Sequence, residues 1–514
     1  MRRLFNTIKQ YRKSKLPETM DSAISTDLDN NIKFFKKQFE NSSDIVFRQI
    51  TTPKNKAYII FIDGLIDSAR IELHAIQQLL EQTPADALDA TYIEEQIISV
   101  NSVTEENKLK KLIKQILDGN TILLIDKFDK ALVLDAKGGS SRSISEPDTE
   151  SVIRGPREGF TESLRVNTSL VRRKIHSNHL KVVSRTVGSE TQTSLAILYL
   201  ENLAPPQLVE EVLSRIDRIE IDGILESGYI EELIEDDSWS PFPQIQNTER
   251  PDTVAANLLE GRVSIIVDGT PFVLILPTSF WQFIQASEDY YQRFHISVFL
   301  RLLRISLLFL ALLMPAFYVA IASFHQDMIP TTLLLSITAS REAIPFPVFI
   351  EALIMELSFE ALREAGVRLP KVIGQAVSIL GALVIGTAAV EAGIVSAPMV
   401  ITVSLTGIAS FTIPRFNMAI SIRLLRFPMM ILAGMFGLFG IVLGSIVLLT
   451  HLCKLRSFGI PYFSPLSPLK WSDLKDVFVR VPWWDMGSRP NQFVKEDPVR
   501  EGSNLKPSPN QKKS

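Results

Sequence analysis

The chain has 514 residues, with Lys+Arg 54 against Asp+Glu 57 and a formal net charge of −3. This excludes the chain-wide basic surface that holds nucleic acid by counterion release. A single cysteine, Cys453, excludes an intramolecular disulfide and suits a reducing compartment. The length allows two or three folded units, and the mean hydropathy of +0.16 averages a polar first part with a very apolar second part.

Residues 1–43 are polar and basic-leaning and read as a loosely held helical tail. No apolar run of a signal peptide follows the basic start, so the N-terminal half is expected in the cytoplasm. Residues 44–137 read as a first α/β unit. DIVFRQI and AYIIFID have strand character, residues 66–82 carry a helical face with Ile71, His74, Ile76 and Leu79, and residues 105–117 read as a second helix. TILLID and ALVLD complete the unit as a strand pair. His74 reads as a packed helix residue, because no second ligand stands at metal spacing.

GGSSRSISEPDTE, residues 138–150, is a linker by composition. In SVIRGPREGF, Arg154 and Arg157 flank Gly155-Pro156. The turn projects two guanidinium groups, suited to a bidentate grip on an anion or to a subunit or subdomain contact. The second α/β unit, 151–295, holds LVRRKI as a basic helix face, strands at 195–200 and 219–221, and helices at 206–216 and 225–234. VSIIV-DGTP-FVLILP closes it as a hairpin on an Asp-Gly turn. The acidic run Glu231–Asp237 reads as a solvated helix end rather than a metal site. No phosphate loop, dinucleotide fingerprint, HExxH or GxSxG appears. No cofactor, metal or catalytic constellation is expected, and the protein reads as a non-enzyme.

The apolar part, 296–455, reads as an α-helical multi-span membrane domain. ISLLFLALLMPAFYVAIASF is long enough to cross ~30 Å of hydrocarbon. Arg301 and Arg304 precede it, placing its start in the cytoplasm by the positive-inside rule. The helix at 348–366 carries Glu351, Glu356, Glu360 and Glu364, the last three at i, i+4 and i+8. Two readings stay open: a carboxylate ring lining a cation path in an oligomer, or an interfacial helix with its acids in water. Residues 371–390 form a small-residue span with Gly381 and Gly386, ending at Glu391. Further spans are read at 396–413 and 427–452. Glu356, Glu360, Gly381, Gly386 and Glu391 are the candidate ion path. Four or six crossings both leave the tail, 456–514, in the cytoplasm. Arg415, Arg423 and Arg426 count against four, and the chain beyond about 491 is expected to be disordered.

EPDTESVIRGPREGFTESLRVNTSLVRRKI, SPFPQIQNTERPDTVAANLLEGRVSIIVDGTPFVLILP, EDYYQRF and IPFPVFIEALIMELSFEALREAGVRLPKVIGQAVSILGALVIG resemble the A subunit of the GerA-type spore germinant receptors. The A-like accessory protein of the sporulation-stage-five A operon shares most of these runs. The resemblance implies a subunit of a nutrient receptor in the spore inner membrane, with its N-terminal half on the spore-core side. It further implies a permease-like B subunit and a lipoprotein C subunit as partners. It also implies a homo-oligomer, a pentamer, that forms a nutrient-gated channel for monovalent cations among membrane lipid. A membrane scaffold without its own ion path is the alternative. A lone carrier would show an internal repeat, and none is evident.

Overall fold

The computed structural model describes residues 23–51, 56–81, 102–138, 146–147, 149–370, 381, 384–471, 473–490, 492–494, 497–500 and 505–507. The first unit is built on a five-stranded antiparallel sheet: β1 (Ile45–Thr51), β2 (Lys56–Ile62), β3 (Val103–Glu106), β4 (Thr121–Ile125) and β5 (Ala131–Leu134), ordered β1-β2-β4-β5-β3. Strands β4 and β5 are buried at every position, as central strands covered on both faces must be.

Helix α1 (Leu28–Gln38) packs on one face of this sheet. Its N-cap, Asp27, accepts from the amides of Asp29 and Asn30, and Leu28, Ile32 and Phe35 form a buried stripe that Phe39 continues. This corrects the reading of 1–43 as a loose tail: the folded unit already includes residues before Asp44. Helix α2 (Ser68–Ile71, continued by a π turn at Glu72–Ile76 and by Gln77–Glu81) covers the other face. Helix α3 (Leu109–Leu117) is shorter than expected, because Val103–Glu106 pairs with β5 instead of joining the helix.

The second unit repeats the plan. Helix α4 (Leu164–Lys174) and strands β6 (Leu180–Val187) and β7 (Thr193–Leu200) lead to helices α5 (Pro206–Asp217) and α6 (Ser227–Ile234). Strand β8 (Gln246–Thr248), helix α7 (Pro251–Leu258) and strands β9 (Val263–Val267) and β10 (Val273–Leu276) follow. The sheet order is β6-β7-β9-β10-β8, again antiparallel. The Asp-Gly turn joins β9 to β10 as expected, whereas 219–221 is not a strand. The two units meet through a buried ion pair. Arg172 Nε and Nη2 of α4 donate to Asp44 Oδ2 and Oδ1 at 2.7 and 2.9 Å. Arg172, expected on a basic face, is thus an interior residue.

Helix α8 (Phe294–Phe324), α9 (Thr331–Arg341), α10 (Val348–Arg368), α11 (Ala397–Phe411) and α12 (Phe416–Lys454) make the apolar part. Two of these helices, α8 and α12, are long and apolar enough to cross a membrane; α11 is apolar but shorter. Helix α12 is not one rod. Gly437 has φ 60° and ψ −140°, a conformation open to glycine, and the chain doubles back there. The Gly444 position lies against Met429, and Leu452 shares a core with Met418 and Ile422. Residues 416–436 and 438–454 are therefore two antiparallel arms. The expected last span, 427–452, is corrected accordingly: it straddles the reversal. Most of the span expected at 371–390 lies outside the described residues, apart from Gly381, a π turn at Val384–Ala388 and Ala389–Glu391.

The tail returns to the second unit. Ser457 Oγ donates to the Gln244 carbonyl (2.7 Å), and Phe493 and Val494 are buried in that unit's core. Arg489 Nε donates to the Leu259 carbonyl (3.0 Å). The expected disorder beyond 491 is corrected for 492–494 and 497–500. An aromatic residue seated under an arginine, Phe493 beneath Arg262 at 4.2 Å, orders them.

Candidate functional site: ion pairs in the helical bundle and at its base

Pro315 lies inside α8 and has no N–H to give the Ala311 carbonyl four residues earlier. That carbonyl accepts instead from Arg426 Nε at 2.9 Å. The same guanidinium donates through Nη1 to Glu356 Oε2 of α10 at 2.5 Å. Arg426 and Glu356 are both fully enclosed. One turn away, Glu360 Oε2 meets Arg363 Nη2 (3.0 Å) and Arg423 Nη1 (3.5 Å). Toward the start of α10, Glu351 Oε1 accepts from the Ser396 amide (2.6 Å) and from its hydroxyl, while Oε2 faces Arg341 at 3.4 Å. Three carboxylates of α10 are thus matched by arginines from α9, α10 and α12, which offsets part of the cost of holding charge in an apolar interior.

This placement answers where the expected ion-path residues stand. Glu356 and Glu360 turn toward α12 inside one chain, while Glu364 is exposed and pairs with Arg368 on its own helix (2.6 Å). The three acids therefore do not present one common face to water. Gly381 is buried, and a Cβ there would stand 2.6 Å from a methyl of Leu362. Around Gly386 a Cβ would meet nothing within 4 Å, and Glu391 is exposed. The structure does not bring Gly386 and Glu391 into contact with Glu356.

At the base of the bundle a second network was missed in the sequence. Arg301, entirely enclosed, donates through Nη1 to Asp476 Oδ1 (2.9 Å) of the tail and faces Asp289 Oδ2 at 3.5 Å. Arg304 Nη1 donates to Asp289 Oδ2 and to the Ile284 carbonyl, both at 2.9 Å. The Tyr290 hydroxyl donates to Asp476 Oδ2 (2.7 Å). Burial first, then the Asp476 carboxylate, holds its phenol well above the usual range, so it stays a donor. The cluster ties the second unit, the first long helix and the tail at one point. Arg301 and Arg304 lie inside α8, which starts ten residues before Arg304, at Phe294; they are structural ligands of the base cluster. Only the spacing of two arginines three apart hinted at this, since their acidic partners are remote in sequence.

Arg154 and Arg157 are exposed. Arg157 Nη1 meets Glu146 at 3.0 Å, and the amides of Ile153 and Arg154 donate to Glu288. The turn is therefore anchored by backbone, with both guanidinium groups at the surface. The acidic run 231–237 gathers no metal cluster among the described residues. Arg215 spans it by donating to the Ile234 carbonyl (2.6 Å) and pairing with Asp236 (2.5 Å).

Two α/β units are tied by buried ion pairs to an apolar helical bundle, two of whose helices are long and apolar enough to cross a membrane. The family model described as Bacillus/Clostridium GerA spore germination protein matches residues 33–492, and the chain belongs to that family. It is 54% identical over 501 residues to the uncharacterized membrane protein YfkQ of Bacillus subtilis (strain 168), covering 96% of this chain and 98% of that protein. It is 48% identical over 493 residues to spore germination protein KA of the same organism, covering 95% and 90%. The crystal structure of the N-terminal domain of the A subunit of the Bacillus megaterium spore germinant receptor GerK3 also matches. The identity is 34% over 50% of this chain and 98% of that one, with a TM-score of 0.41.

Proposed function

We propose that this chain is the A subunit of a nutrient-sensing germinant receptor. It oligomerises in the spore inner membrane, beside permease-like B and lipoprotein C subunits, into a gated path for monovalent cations. Family membership supports the receptor role. The observation that carries the mechanism is the division of the candidate residues. Glu356 and Glu360 are neutralised inside one chain, whereas Glu391 is exposed and Gly386, half-buried on the same segment, has open space where a Cβ would stand. The path then runs along the Gly386–Glu391 face between copies, and the α10–α12 ion pairs hold the helices that frame it. Nothing in this function calls for an enzyme's chemistry or a cofactor.

Six crossings fit the geometry. Helix α8 leaves the soluble units at the Arg301 cluster and ends with Phe324 and His325 beside Gly437. Helix α10 returns, with Phe349 beside Gly434, Glu356 beside Arg426 and Glu360 beside Arg423. Helix α11 runs from Ser396, beside Glu351, back toward Arg415, which pairs with Glu150 of the soluble region. Helix α10 ends and α11 begins at opposite ends of the bundle, and the two arms of α12 add one crossing each way. Arg415, which counted against four crossings, pairs with Glu150 of the soluble region, and this supports six.

The scaffold reading is the second one, favoured by the internal pairing of Glu356 and Glu360. Cation release from spores on nutrient addition separates the two. Gly386→Leu and Glu391→Gln, at normal protein level, are expected to alter nutrient-triggered release or to leak without nutrient. Unchanged release in both variants would remove this path and leave the scaffold.

A further inference from the structure

A cavity of about 380 Å³ opens where the second unit, the α11–α12 turn and the tail meet; Asp252, Asn257, Gln282, Tyr290, Arg415 and Trp483 are among its walls. The charges around it are matched in pairs. Asp252 Oδ2 accepts from Arg250 Nη2 (2.8 Å) and from the Tyr291 hydroxyl. Arg415 meets Glu150, Arg500 Nη2 meets Glu260 (2.5 Å), and Arg489 meets Asp497 (3.4 Å). A cavity so balanced favours a ligand with no net charge over an ion.

Two groups keep unused capacity. Asp252 Oδ1 is a buried acceptor and Arg415 Nε a buried donor, and neither has a hydrogen-bond partner. Their side chains are 8% and 7% exposed. A buried polar atom left unpaired costs about 1–3 kcal/mol, and both side chains line the same cavity. One group asks for a positive N–H donor and the other for an anionic acceptor, each through a charge-assisted bond.

We propose that this cavity binds a small zwitterion, with its ammonium on Asp252 and its carboxylate on Arg415. The volume lies at the small end of ligand sites, and the Tyr290 and Trp483 side chains supply apolar wall. Asp252 belongs to α7 of the second unit and Arg415 to the turn that begins α12. A ligand spanning both stabilises the arrangement in which these two elements face one cavity, whose wall residue Tyr290 also bonds Asp476 of the base cluster.

The test is calorimetry on the full chain in lipid nanodiscs, titrated with the free α-amino acids one at a time. It continues with the N-acetyl and amide forms of whichever binds, and with glucose as an uncharged polyol. Asp252→Asn must keep its carbonyl oxygen on Arg250, which turns a donor into the cavity. Arg415→Lys keeps the charge and loses the fixed Nε–H. Ala256→Phe, at an exposed wall position, fills the space without touching either group. The expected result is saturable binding of at least one amino acid, weakened at least tenfold by either blocking group and by all three variants, with the thermal unfolding midpoint of Ala256→Phe unchanged. Should a charge variant fail to fold, Ala256→Phe decides. No binding by any amino acid, binding indifferent to the substitutions, or glucose binding in place of amino acids would overturn the proposal. Binding is read separately from ion release, so this proposal and the channel proposal fail independently.

Discussion

Arg426 Nη1 stands 2.5 Å from Glu356 Oε2, and both side chains are closed off from solvent. The pair joins α10 to the first arm of α12, and through Ala311 it also joins α8 at the carbonyl that Pro315 leaves free. Its worth lies in mutual neutralisation. Glu356→Gln leaves a buried guanidinium without its counter-charge, a loss of about 3–5 kcal/mol. The expected outcome is a lower thermal unfolding midpoint for the purified chain. The double change Glu356→Leu with Arg426→Met is expected to recover most of the loss, because an apolar pair carries no desolvation penalty. A double variant no better than Glu356→Gln alone would show that the pair acts through geometry rather than charge.

Gly437 makes the reversal of α12 possible. At φ 60°, ψ −140° any Cβ is strained, and it would stand 2.7 Å from the His325 ring. Gly437→Ala is expected to cost about 1–3 kcal/mol in backbone strain and more through the clash. Proteolysis of reconstituted vesicles should then reveal a more accessible turn, whereas Gly366→Ala, inside α10 with open space at its Cβ, should fragment no faster than wild type.

Phe493 fixes the tail to the second unit by burial and by the Arg262 guanidinium above its ring. Phe493→Ala should cost about 3–5 kcal/mol locally. Hydrogen exchange is the measurement: amides of 488–500 should lose protection, while those of β7 and β9 keep theirs. Equal loss throughout would make the tail part of one cooperative unit.

Burial, and next the neighbouring Glu235 and Glu226 carboxylates, raise Glu231 to about 8; burial, then Glu232 and Asp237, raise Glu235 to about 7. A carboxyl with a raised pKa in the folded state holds its proton after the unfolded chain has released it. Stability therefore falls as pH rises from the ordinary value of 4.5 to about 8, and levels off above that. Glu231→Gln should flatten this slope, seen as an unfolding midpoint that changes less between pH 5 and pH 8, at roughly the ends of that window. A slope identical to wild type would mean that other groups set it.

Much of the fold was legible in the residues. Apolar, β-branched runs such as AYIIFID and VSIIV marked strands, Asp-Gly marked the hairpin, and uncharged apolar runs marked the long helices, because each signal is local. Where local signals compete, the sequence misled: Val103–Glu106 carries acids suited to a helix, yet it pairs with β5 because that edge is open. Residues 28–38 look polar on average, and only Leu28, Ile32 and Phe35, four and then three residues apart, betray a buried face. The order β1-β2-β4-β5-β3 and the return of the tail are long-range choices with no local signature.

The candidate site divides in the same way. The sequence by itself determined that several carboxylates and arginines must lie in an apolar region, because the residue types and run lengths alone set that cost. It also determined the family, through long matching runs. Only the tertiary structure decided which charges neutralise which: Glu356 with Arg426, 70 residues apart, and Arg301 with Asp476, 175 apart. Charges attract through space and not along the chain, so their pairing appears only once packing has brought the helices together.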